Sequence, residues 1–105
     1  MIGIKIKITK FISDDQPGWI ECTFKDAWGV EHVIEEKVPV ITTINLNEKS
    51  EYPQDGYIAC EILKEWKDNN GRGIVTVSTE KPWGISSIND LIEFDLQENQ
   101  LAEFK

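Results

Sequence analysis

The sequence predicts an all-β domain, a small antiparallel barrel or sandwich of about six to eight strands with little helix. Three observations carry this reading. Apolar and polar residues alternate with period two along most of the chain, and β-branched residues supply much of that alternation. Clusters of Asp, Asn, Gly and Pro separate the runs, and no segment shows the 3.6-residue apolar stripe of a helix. At 105 residues the chain makes a single β domain over 1–105, with room for a modest core.

Taken in order, Ile2, Ile4, Ile6 and Ile8 point one way while Lys5, Lys7 and Thr9 point the other, giving a half-buried strand with a basic outer face. Asp14-Asp15-Gln16-Pro17-Gly18 breaks the chain. In the next run, Trp19 to Lys25, Ile20, Cys22 and Phe24 face the core. Asp26-Ala27-Trp28-Gly29 reads as a hairpin turn, with a return strand from about Val30 to Glu36 whose facing is ambiguous because Val33 and Ile34 are adjacent. Pro39 demotes Val38–Ile41 to an edge strand or crossing segment. Residues 42–55 form the longest candidate loop, polar and acidic.

A long strand follows, with Ile58, Cys60 and Ile62 inward and Glu61 and Glu65 outward. Asp68-Asn69-Asn70-Gly71-Arg72-Gly73 is the strongest turn signal, because Asn and Gly accept positive φ cheaply. Ile74 to Thr79 returns, Lys81-Pro82-Trp83-Gly84 makes another loop, and Ile92, Phe94 and Leu96 alternate in the last strand. Ser86 to Asp90 suits one short turn, and Gln97 to Lys105 suits a frayed terminal helix. One internal echo, Gly18-Trp-Ile-Glu-Cys-Thr-Phe24 against Gly56-Tyr-Ile-Ala-Cys-Glu-Ile62, reads as two similar hairpins facing one core.

Charge narrows the function classes. Nineteen Asp and Glu against eleven Lys and Arg give a net charge of −8, a surface that repels nucleic acid and anionic lipid and attracts basic proteins. The stripe Lys5, Lys7 and Lys10 suggests a nucleic-acid face, but the acid excess and the single arginine, Arg72, make nucleic acid an unfavoured partner. The opening residues alternate Ile with Lys, which is neither a signal-peptide core nor a membrane span. Cytoplasmic residence is the simplest reading, with no membrane partner.

Catalytic chemistry is hard to find. Cys22 and Cys60 fall on inward faces and read as reduced, buried thiols, with a disulfide as the alternative. No Cys-x-x-Cys or His-x-His spacing appears for zinc, so neither metal nor cofactor is expected. The lone histidine, His32, reads as a surface or boundary residue. Trp19, Trp28 and Trp83 each touch a turn glycine, where they either cap the core or stand exposed as protein-binding anchors.

The expected function is therefore a protein-binding module and not an enzyme. Compact, acidic chains of this kind, without catalytic residues, resemble bacterial immunity proteins over the whole chain in size, charge and general pattern. That resemblance implies a tight one-to-one complex that inhibits a cognate basic toxin, for instance a nuclease, with carboxylates standing in for substrate phosphates. The candidate partner-binding residues are Glu48, Glu51 and Asp55 in the long loop, Asp90, Glu93 and Asp95 near the last strand, and Trp83 as the aromatic anchor. The alternatives are a small β-barrel binding nucleic acid or carbohydrate, and an enzyme with unmarked carboxylate chemistry.

Overall fold

The alternating runs become strands in the computed structural model, which describes residues 1–104. Two antiparallel sheets pack as a sandwich and do not close into a barrel. The first sheet has the order β3 (Glu31–Lys37), β2 (Trp19–Lys25), β1 (Ile2–Ser13), β4 (Gln54–Ala59). The second has the order β5 (Glu61–Lys67), β6 (Gly73–Ser78), β7 (Glu93–Gln97). A short β8 (Leu101–Glu103) also pairs with β1. Because Gly3 and Ile4 pair with β4 on one side and β8 on the other, β8 continues the line of β2 end to end.

The core lies where the alternation puts it. Ile4, Ile6, Ile8, Ile20, Cys22, Phe24, Ile34 and Ile58 from the first sheet meet Val75, Val77, Phe94 and Leu96 from the second. Ile34 resolves the facing of β3, pointing inward while Val33 is half-buried on the other side. β6 is covered on both faces, as expected of a central strand.

Four expectations need correction. Val38–Ile41 is a single helical turn and not an edge strand; Pro39 sits in its first turn, where a missing N–H costs nothing. The long strand changes sheets at Cys60, so the inward phase is not kept, and Ile62 is 41% exposed on an edge strand with a bulge beside it. The Gln97–Lys105 segment is a 3-10 turn, Glu98–Gln100, followed by β8, so β7 is not the last strand. The Gln100 side chain accepts from the Gln97 N–H at 2.8 Å and caps the start of this turn. Lys105 lies outside the described residues. Finally, the two echo segments are not twin hairpins. The first forms β2, which turns back into β3, whereas the second is split between β4, on the other side of β1, and the start of β5, which turns back into β6 in the second sheet.

A second repetition is built into the turns. In Asp26–Val30, Asp68–Arg72 and Ser87–Leu91 the first N–H donates to the fifth carbonyl, and the fourth N–H to the first carbonyl. In each, one side-chain oxygen of the first residue accepts the N–H groups of the third and fifth residues. The fourth residue takes positive φ: Gly29 at 82°, Gly71 at 80° and Asp90 at 64°. Asp or Ser at the first position thus does the work of an Asx or ST turn, and Gly or Asp supplies the left-handed residue. Gly73, by contrast, is not left-handed. A Cβ there would stand 3.2 Å from Glu98 Oε1, the movable end of a side chain.

Candidate functional site

The first of these turns reaches across the sandwich. The Ala27 N–H donates to the Asp95 carbonyl at 2.8 Å, docking the β2–β3 turn onto the free edge of β7. This places Trp28 over the outer face of the second sheet, where its Nε1–H donates to Asp95 Oδ2 at 3.2 Å. The Thr76 hydroxyl, on β6 opposite Asp95, donates to Oδ1 at 2.7 Å and accepts from Trp66 Nε1 at 3.0 Å. Both Asp95 oxygens are therefore fixed by one donor each, leaving further acceptor capacity on each. The Arg72 guanidinium lies 5.3 Å from the Trp28 ring centroid, and its Nη1 donates to the Ala27 carbonyl at 3.2 Å.

His32 lies on the other side of the same turn. Its Nε2 is 2.8 Å from Asp26 Oδ2, and its ring packs on Phe24 and Phe94 with centroids 5.3 and 4.9 Å away. Only about a tenth of either side chain in this pair is exposed, so His32 stands at the boundary of the core, as expected, and is tied there to Asp26. Burial pushes the Asp26 carboxyl up. The hydrogen bond with His32 and those from the Val30 and Trp28 N–H groups outweigh it, and the net effect holds Asp26 below the ordinary carboxylate value. An ionised Asp26 can only accept, so the His32 Nε2–H donates this hydrogen bond.

Between the turn and β7 lies a hollow of about 280 Å³ lined by Asp26, Trp28, His32, Thr76, Glu93, Phe94 and Asp95. Of the expected residues, Glu93 and Asp95 meet here. Asp90 does not; it occupies the left-handed position of the Ser87–Leu91 turn. Asp55 stands on β4 and not in the long loop, paired with Lys7 directly across from it. Glu48 and Glu51 are exposed in the loop before it. Trp83, 42% exposed, stands with Asp55 along a separate groove and not with Glu93 and Asp95. The aromatic residue beside the second acidic group is Trp28, 47% exposed.

The thiols are unreactive by environment. Cys22 and Cys60 are free and buried, and burial pushes their pKa values up to about 12 and about 11. Among the described residues no group of three or more His, Cys, Asp or Glu side chains is arranged to hold a metal ion. No helix among them is long and apolar enough to cross a membrane. Compared with known proteins, the chain matches no family model, no curated protein and no solved structure.

Proposed function

We propose that the protein is a binding module for a basic protein partner, and in its most specific form an immunity protein that inhibits a cognate basic toxin by covering it. The observation that carries this reading is the hollow at the β7 edge. Glu93 and Asp95 share it with the exposed Trp28, and among the described residues no lysine or arginine lines it. Hydrogen bonds from Trp28 and Thr76 hold the Asp95 carboxylate in place before any partner arrives, which lowers the ordering cost of binding. A large aromatic side chain next to a fixed carboxylate is the composition of an interface hot spot.

Of the two acidic groups, electrostatics favours the second. Asp55 is already paired with Lys7, and Lys5 projects from the same face of β1. Trp83 then belongs to a different surface, and Trp28 replaces it as the anchor in this reading. Capture on the immobilised protein from the native host's lysate, with the captured proteins identified by mass, tests the proposal. A basic protein retained by the wild type and lost on Asp95→Lys supports it; equal retention by both proteins counts against it.

A further inference from the structure

On the outer face of the first sheet the residues assemble into rows. Lys7 on β1 lies across from Thr23 on β2 and Asp55 on β4, and Lys5 lies across from Tyr57. Extending the β1–β2 register one pair along this face sets Lys25 across from Lys5. Beyond Tyr57 the aromatic rings continue. Phe104 stacks on Tyr57 with centroids 5.0 Å apart and planes 9° from parallel, and Trp83 meets Phe104 edge-on at 6.2 Å. Gly3 makes room for this, since a Cβ there would come within 2.5 Å of the Phe104 ring.

Two depressions overlie these rows, of about 270 and 500 Å³, and both are lined by Asp55, Gly56 and Tyr57. They form one trough, with Trp83 and Phe104 at one end and Lys5, Lys7 and Lys25 at the other. Lys7 pairs with Asp55, whereas Lys5 and Lys25, like most of the described lysines, form no ion pair and keep their charge available to a ligand. Lys5 and Lys25 thus line one part of the trough, and the exposed indole of Trp83 lines the other.

We propose that this trough binds a nucleoside phosphate, its base against Trp83 and its phosphate between Lys5 and Lys25. An aromatic face takes a planar base without regard to its hydrogen-bond pattern, and ammonium groups take a phosphate. Charge selects a single nucleotide over a strand. The net −8 of the chain repels a long polyanion, whereas one phosphate group feels chiefly the charges within a screening length of about 8 Å. The site is independent of the β7 hollow and of the basic-partner reading.

The test is titration of the full chain with ADP, followed by calorimetry and by tryptophan fluorescence. Saturable binding is expected, with quenching that disappears in Trp83→Ala, and with adenosine and inorganic phosphate each binding more weakly than ADP. Lys5→Glu/Lys25→Glu should weaken ADP binding by about tenfold or more. Lys5→Gln/Lys25→Gln gives the same comparison without charge reversal if the first variant folds poorly. No saturable signal at about 1 mM ADP overturns the proposal, as does unchanged affinity in both lysine variants. Tighter binding of an oligothymidylate than of ADP at physiological salt overturns it in favour of a strand.

Discussion

Removing the Asp26 carboxylate isolates what the first turn contributes, because the Asp68 turn provides a built-in comparison. Both carboxylates accept two turn N–H groups on one oxygen, at 2.9 and 3.0 Å in the first turn and 2.9 Å twice in the second. They differ in the third partner. Asp26 holds His32, whose side chain is 10% exposed, whereas Asp68 holds Arg72, which is 40% exposed. In Asp26→Ala the turn N–H groups turn to water, at a cap-like cost of about 1 kcal/mol. The His32 Nε2–H is left nine-tenths buried without an acceptor, at about 1–3 kcal/mol more. The expected loss is about 2–4 kcal/mol, read as a lower urea midpoint at constant slope. Asp68→Ala should lose less, because Arg72 stays solvated. If Asp68→Ala proves as costly as Asp26→Ala, burial of the histidine partner is not what makes the first turn stable.

Five further outcomes follow from the structure. The Asp26 pKa is depressed in the folded state, so its contribution is fully present above the ordinary value of 3.8 and is lost as pH falls through the lower folded value. Wild type should therefore show an acid-limb loss of stability in this range that Asp26→Asn lacks, as followed by urea midpoints between neutral and acidic pH. Asp90→Gly should raise the midpoint by up to about 1 kcal/mol by relieving the left-handed strain that Gly29 and Gly71 avoid, and a lower midpoint would contradict the shared turn geometry. Gly71→Val should cost about 1–3 kcal/mol for the same reason. Gly73→Ala, which meets only the movable end of Glu98, should stay within about 0.5 kcal/mol of wild type. Both thiols should resist a thiol reagent in the native protein and react once it is unfolded; immediate labelling of Cys22 or Cys60 would contradict their burial.

The legible parts of the fold were those fixed by local pattern. Ile4, Ile6 and Ile8 alternate with Lys5 and Lys7, and one sheet face settles their direction. The Asp26 and Asp68 turns carry their own hydrogen-bond acceptor and left-handed glycine within five residues. Failures came where a neighbour distant in sequence decided. Nothing around Cys60 marks it as the point where the chain changes sheets, so the phase of Ile62 could not be carried across it. Pro39 suits an edge strand and a helix start equally well. The segment after Gln97 has helix-compatible composition, but β1 offers an unpaired edge beside Ile2–Ile4, and β8 takes it. At the site, Asp26 and His32 are close enough in sequence to have been paired. The Trp28–Asp95 contact spans 67 residues and had no local signal, which is why Trp83, nearer in sequence to Glu93 and Asp95, seemed the better anchor.

The most direct test of the basic-partner account is a series of association rates with the captured partner, measured at low and high salt. Glu93→Lys/Asp95→Lys is compared with Glu48→Lys/Glu51→Lys/Asp55→Lys. The account predicts that reversal at the β7 edge slows association, flattens its salt dependence and costs about 2–5 kcal/mol per buried, paired carboxylate, while the loop variant stays close to wild type. Unchanged association in the Glu93→Lys/Asp95→Lys variant would contradict it.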